Sequence, residues 1–299
     1  MKRPLVMATR RSALALAQAR AFVAHLRALE PAVEIEELLV TTSGDRFQDR
    51  PLQAIGGKGL FIKEIEEALV GGRADLAVHS IKDVPAELAA GLCIGAVPAR
   101  EDPRDALVSR LSTGLAALPE GARLGTSSLR RRTLLLRARP DLDVQALRGN
   151  VDTRLRKVER GEVDAVVLAY AGLRRLGLEA RATEVLDPSV CLPAVGQGAL
   201  GIECRDGDAA VRELLGRAED ALTRTCVAAE RAFMAAVGGS CLLPVAAYAA
   251  RAGSELWLRA MVAEPDGRRA RFGERRAPWP AGPLEAERVG TDLGAELRR

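Results

Sequence analysis

Hydroxyl, guanidinium and carboxylate side chains gather in five short runs of this chain, each just after an apolar stretch that reads as a β-strand. The fullest run is Gly125-Thr126-Ser127-Ser128-Leu129-Arg130-Arg131-Arg132. The others are Thr9-Arg10-Arg11-Ser12, His79-Ser80-Ile81-Lys82-Asp83-Val84-Pro85, Leu147-Arg148-Gly149-Asn150-Val151-Asp152-Thr153-Arg154 and Ala171-Gly172-Leu173-Arg174-Arg175. Where a strand gives way to a helix, unpaired backbone N–H groups and the helix dipole favour an anion. Guanidiniums one turn later grip carboxylates through paired, planar hydrogen bonds. A single such run is ordinary helix capping. Five of them, every one with Arg or Lys, point to a receptor for something small and strongly negative.

Two further residues carry possible chemistry. Cys241 sits in Gly238-Gly239-Ser240-Cys241-Leu242-Leu243-Pro244, after a helical stretch. A glycine-bearing loop can present its sulfur to a neighbouring cleft, but the residues alone favour a buried thiol. Asp83 can stabilise developing positive charge, cap a helix or pair with Lys82. His79, beside a buried strand, reads as structural.

Positioning such runs requires strands that end together. Leu5–Ala8, Ile35–Thr41 and Asp75–Val78 read as strands. Ser12–Leu29 reads as an amphipathic helix capped by Ser12, with Leu14, Ala17, Ala21, Ala24 and Leu26 near one face. A helix over Gly59–Val70 closes on Gly71-Gly72. The Pro- and charge-rich stretch Pro98–Pro103 reads as a hinge, after which the pattern restarts. Strands are expected over Ala122–Leu124, Val144–Leu147 and Val163–Ala169, with helices over Arg131–Arg139 and Val151–Arg160 between them. Such alternation predicts parallel sheets covered by helices. Gly196–Cys204 looks like a strand returning to the first domain. Asp208–Val237 is helical, Leu243–Ala250 and Glu255–Val262 are strands ending at a Pro265-Asp266-Gly267 turn, and Leu284–Leu297 is a last helix. The expected fold is α/β, with two lobes around a central cleft and a small α+β C-terminal domain. Its domains are 1–99 with a return segment 196–216, then 100–195, then 217–299.

Composition narrows the function classes. A chain of 299 residues suggests more than one domain. No apolar run approaches the roughly 20 residues that span a bilayer, so no membrane partner is expected. Met1-Lys2-Arg3-Pro4 leads into a strand rather than a secretory signal, and a cytoplasmic protein is expected. The five cysteines are odd in number, widely spaced and free of CxxC pairs, and there are two histidines. That signals neither a disulfide frame nor a metal centre. Cys93, Cys191, Cys204 and Cys226 read as buried small hydrophobes. From Arg123 to Arg160 eleven basic residues face four acidic ones, a patch that could attract nucleic acid. Aromatic residues at 3% leave little for base stacking, which weighs against that partner.

The runs above, together with Gly56-Gly57-Lys58-Gly59-Leu60-Phe61, Pro193-Ala194-Val195-Gly196-Gln197-Gly198, Glu230-Arg231 and the Cys241 loop, resemble the porphobilinogen deaminase (hydroxymethylbilane synthase) family of tetrapyrrole biosynthesis. The resemblance covers nearly the whole chain, in long, ordered motifs. It implies three domains, the first two like a periplasmic binding protein, and a dipyrromethane cofactor joined by a thioether to Cys241. It implies head-to-tail condensation of four porphobilinogens, with loss of ammonia each time, and release of a linear tetrapyrrole by hydrolysis. A monomer acting on this small molecule is implied, without a metal.

By position, the resemblance makes Ser12, Lys82, Thr126, Ser128, Arg130, Arg131 and Arg148 cofactor binders. It makes Arg10, Arg148, Arg154 and Arg175 binders of substrate carboxylates, Asp83 the catalytic residue, and Lys58 and Phe61 parts of a lid. Each porphobilinogen brings an acetate and a propionate, so a growing chain accumulates the negative charge that the guanidiniums suit. Two positions depart from the family pattern: Ala54 stands where a lysine is common, and Leu242 where glutamine often follows the attachment cysteine. A two-lobed binding protein for an anionic metabolite would explain the arginines and the hinge, but neither Cys241 nor the third domain.

Overall fold

The computed structural model describes residues 3–46, 62–238 and 243–298. Lys58, Phe61, Cys241, Ala54 and Leu242 lie outside them. The chain divides into two compact units, Met1–Arg100 with Ala199–Arg224, and Glu101–Gly198 with Thr225–Arg299.

The first unit is built on β1 (Leu5–Arg10), β2 (Ile35–Val40), β3 (Leu76–Ser80), β4 (Leu92–Ala96) and β10 (Leu200–Arg205), in the order β2-β1-β3-β10-β4. β1 runs parallel to β2 and β3, while β10 is antiparallel to both its neighbours. The sheet is therefore mixed, not parallel. Helix α1 (Ala13–Leu29) starts where the Ser12 hydroxyl accepts from the Ala15 N–H at 3.3 Å. It buries Gln18, Ala19, Phe22, Val23 and Leu26. Of the expected face only Leu26 is buried; Ala21 and Ala24 are exposed. The helix is apolar on two sides, and Phe22 and Val23 bring more surface to the core than alanine does. Helix α2 (Lys63–Val70) closes on Gly71. Asp75, just before β3, ties β1 to β10: Arg3, Arg205 and the Val6 N–H all donate to it. Burial would raise its carboxyl, but these donors outweigh burial and hold it at about 2.

The second unit carries β5 (Asp105–Ser109), β6 (Arg123–Gly125), β7 (Asp143–Gln145), β8 (Ala165–Ala169) and β9 (Glu184–Val185), in the order β7-β6-β8-β5-β9. Again the sheet is mixed, since β5 is antiparallel to β8 and β9. Between strands lie helices α3 (Leu129–Ala138), α4 (Val151–Glu159) and α5 (Tyr170–Arg175). The helical stretch expected over Asp208–Val237 holds two helices, α6 (Ala209–Gly216) and α7 (Ala221–Ala236).

The C-terminal part is α+β: an antiparallel sheet of β11 (Val245–Ala252), β12 (Glu255–Val262) and β13 (Arg271–Pro278), with α7 and helix α8 (Pro283–Arg298). The two helices approach so closely that a side chain on Gly290 would collide with the Ala229 carbonyl. Phe233, Ala286 and Leu293 from the helices share a core with Leu256 and Leu258. Ala246, Met261 and Ala263 of this sheet pack on Leu107, Leu124 and Leu135 of the second lobe.

Cys191, Cys204 and Cys226 are buried, as expected, whereas Cys93 is half-buried on an edge strand. No helix of the described residues is long and apolar enough to cross a membrane. No group of His, Cys, Asp or Glu among the described residues could hold a metal ion.

Candidate active site

In the first unit the turn after β3 is shaped by two buried anchors. Ile81 and Val84 sink into the core, and the Ile81 N–H donates to the Ala199 carbonyl at 3.1 Å. Gln18 of α1 donates to the Ser80 hydroxyl at 2.9 Å. Between the anchors runs a single 3₁₀ turn, Ile81–Asp83, with Lys82 half-buried and Asp83 exposed. Asp83 makes no ion pair or hydrogen bond among the described residues, and the residue before the turn is Ser80. It is therefore neither the partner of Lys82 nor a helix cap. His79 is structural: its Nε2 meets the Glu203 carboxylate at 2.9 Å inside the sheet. Arg10 ends β1, half-buried, and Ser12 caps α1.

In the second unit, backbone contacts draw two of the polar runs together. The Thr126 N–H donates to the Gln145 carbonyl at 2.9 Å, and the Ser127 hydroxyl to the Leu147 carbonyl at 2.9 Å. Ser128 caps α3 by accepting from the Arg131 N–H at 3.4 Å, and buried Thr126 accepts from the Ser128 N–H at 3.2 Å. Gly149 turns the chain into α4 at φ +116°, a conformation that favours glycine.

The basic run then separates into two kinds of arginine. Some are structural: Arg123 and Arg110 share Asp164, Arg139 binds Asp141 and three carbonyls, and Arg132 donates to the Val144 carbonyl. Arg130 and Arg131 turn instead to Asp105, a wholly buried acid at the start of β5 that no motif marks. Arg130 reaches one oxygen of Asp105 at 2.7 Å, and Arg131 reaches the other through Nε at 3.1 Å and Nη2 at 2.7 Å. Gln197 and the Cys191 thiol also donate to it, at 3.0 and 3.2 Å. Burial alone would raise the Asp105 carboxyl. Attraction from Arg130 and then Arg131 overrides this and holds it well below the usual carboxylate range. The only sign of Asp105 in the sequence is an acid opening the apolar run Ala106-Leu107-Val108 just past the hinge.

Two more guanidiniums adjoin this group with no counter-ion among the described residues. Arg154 donates to the Gly149 carbonyl at 2.8 Å, and neither it nor Arg148 makes an ion pair among the described residues. Burial, with repulsion from Arg131 and Arg148, lowers the Arg154 guanidinium to about 10. Nη1 of Arg148 is buried with no hydrogen-bond partner among the described residues. Arg175 donates to the Gly198 carbonyl at 2.7 Å and is likewise lowered by burial. Cationic groups whose charge is opposed by burial and by one another, one with an orphaned donor, form a receptor that an anion completes. A cofactor or substrate rich in carboxylates fits this donor set.

The chain matches the family description "Porphobilinogen deaminase, dipyromethane cofactor binding domain" over residues 5–213, and "Porphobilinogen deaminase, C-terminal domain" over residues 224–299. It is 67% identical over 299 residues to a porphobilinogen deaminase of Sorangium cellulosum (strain So ce56), covering all of both chains. It is 53% identical over 292 residues to that of Bordetella parapertussis (strain 12822), covering 98% of this chain and 93% of the other. Among solved structures, the periplasmic aliphatic sulphonate binding protein SsuA of Escherichia coli aligns with all of this chain and 88% of its own, at 15% identity and a TM-score of 0.44. The arginines gathered around a buried acid, the exposed aspartate after β3 and the full-length match have one conclusion: the chain belongs to the porphobilinogen deaminase family.

Proposed function

We propose that the guanidiniums beside Asp105 and the polar turns of the first unit hold a carboxylate-rich oligopyrrole, and that Asp83 serves the chemistry done on it. The family's reaction joins porphobilinogens head to tail on dipyrromethane, releasing ammonia and finally hydroxymethylbilane. When bound, the cofactor supplies the pyrrole carbon to which the first substrate is joined. The chain's own residues do the rest. Arg131, Arg148 and Arg154 neutralise acetate and propionate groups, with Arg10, Lys82 and Arg175 as further cationic binders. Ser12, Thr126 and Ser128 offer hydroxyls at helix starts, and Arg130 braces the cluster from within. Asp83 places a carboxylate opposite the positive charge that develops as ammonia leaves porphobilinogen. Lys58 and Phe61 serve as a lid and Cys241 as the attachment point, on the strength of the family motif.

The observation that carries this reading is the buried Arg148 donor with no partner among the described residues, next to an Arg154 with no acidic partner among them. We also propose a three-part division at 1–99 with 196–216, 100–195 and 217–299; the change of unit at Arg100 and the return at Ala199 support its first boundary, while Thr225–Arg299 shares a unit with Glu101–Gly198. A cytoplasmic monomer with no nucleic-acid partner is the setting we propose. In its support, Arg123, Arg132 and Arg139 of the basic run are taken up by Asp164, Asp141 and backbone carbonyls.

Intact mass tests the reading directly. The purified protein is expected to exceed its sequence mass by one dipyrromethane, and Cys241→Ser to lose that increment. A bare chain that leaves porphobilinogen unconsumed overturns the proposal. The carboxylate clamp has its own test in Arg148→Leu. Loss of charge-assisted hydrogen bonds worth about 1.5–3 kcal/mol should raise KM or slow cofactor assembly about 10- to 100-fold. Unaltered kinetics and a full cofactor complement would refute the clamp.

A further inference from the structure

Cys93 and Cys204 lie directly opposite one another on neighbouring antiparallel strands, β4 and β10, with their sulfurs 3.9 Å apart. We propose that they form a redox-active dithiol, a modification site in which a peroxide converts the pair into a cross-strand disulfide.

Three observations support it. Directly opposed residues in an antiparallel pair have Cα atoms about 4.5–5.5 Å apart, inside the about 4.4–6.8 Å that a disulfide spans. The side chains therefore need only a small rotation to close the remaining gap. β4 is an edge strand, and Cys93 on it is half-buried, so an oxidant reaches one sulfur of the pair. Cys204 is wholly buried in the core beside it. That division of labour, one thiol met by solvent and one resolving it from inside, is the arrangement a reversible dithiol needs.

The step balances without further reactants. The Cys93 thiolate attacks one peroxide oxygen, the O–O bond breaks, and water leaves once the departing oxygen takes a proton. The Cys204 sulfur then attacks the Cys93 sulfenic acid, the S–S bond forms and a second water departs. Two electrons and two protons pass from the thiols to the peroxide. Burial pushes both thiols up, Cys204 to about 12, with the nearby charges Arg212, Asp206 and Asp208 modulating them. The thiolate is thus scarce near neutrality, and the pair reacts slowly rather than as a fast sensor. The site is also remote from Asp83: Cys204 pairs with Leu76 at the start of β3, and Asp83 follows its other end.

Treating the holoenzyme with hydrogen peroxide, alkylating the remaining thiols and mapping tryptic peptides tests the proposal. The expected product is a Cys93 peptide linked to a Cys204 peptide, about 2 Da lighter than the two thiols together and separated again by a dithiol reductant. Cys93→Ser should leave Cys204 unoxidised, and Cys204→Ser should let Cys93 proceed to sulfinic acid. Sulfinic acid at Cys93 with Cys204 still alkylatable in the unsubstituted chain overturns the proposal, as does a link from either residue to another cysteine.

Discussion

Asp83→Asn lowers porphobilinogen turnover by about 10²–10³-fold while leaving the bound dipyrromethane in place. The size follows from what a pre-positioned charge contributes when a transition state develops the opposite charge, about 2.7–4 kcal/mol for a single group. Asn keeps the shape and one acceptor oxygen, so binding geometry survives and the charge alone is removed. The structure makes the substitution a clean one. Asp83 is exposed and makes no ion pair or hydrogen bond among the described residues, so its loss leaves no buried partner stranded. Stability should stay within about 0.5 kcal/mol. Ile81 and Val84, buried on either side, hold the turn whatever stands between them. Steady-state consumption of porphobilinogen with intact-mass measurement on the same sample decides the matter. Near-normal turnover with the cofactor present would remove Asp83 from its role.

The legibility of this chain was uneven, and the unevenness has physical causes. Runs with local signals read correctly. Ser12 announces its helix because capping is a contact three residues long. Glu255–Val262 alternates cleanly enough that β12 has the expected bounds. Strands whose meaning is set by distant partners did not read. β4, β5, β9 and β13 are short, or polar, or adjoin charged turns, and pairing with strands far along the chain decides them. Sheet direction was misjudged for the same reason. β10 returns to β3 from more than a hundred residues away, and nothing in its residues records the reversal. In the site, the arginines were visible as a count but not as roles. Arg123 and Arg148 look alike in sequence. One is held by Asp164 and two carbonyls, and the other has a buried donor with no partner among the described residues.

Asp105 shows what that distinction implies for stability. Asp105→Ala is expected to destabilise the protein by about 3–5 kcal/mol, the range for removing one member of a buried ion pair. The acid is wholly buried and receives Arg130, Arg131, Gln197 and Cys191. Alanine would leave two guanidiniums desolvated and facing one another, next to Arg154, which has no acidic partner among the described residues. The penalty is repulsion and desolvation together, so it should exceed that of an exposed pair such as Asp152 with Arg156, whose removal should change little. Acid unfolding gives a second measure. Because the folded carboxyl is held below its ordinary 3.8, its contribution is fully present above that pH and is lost as pH falls through the folded value. The variant should therefore start lower at neutral pH and lose less below about pH 4. Urea midpoints across pH would register both effects. A loss under about 1 kcal/mol at neutral pH would mean that the guanidiniums recover water when the acid is gone. In that case Asp105 is a bystander to the receptor, and the charge balance of the site must be kept by the bound carboxylates alone.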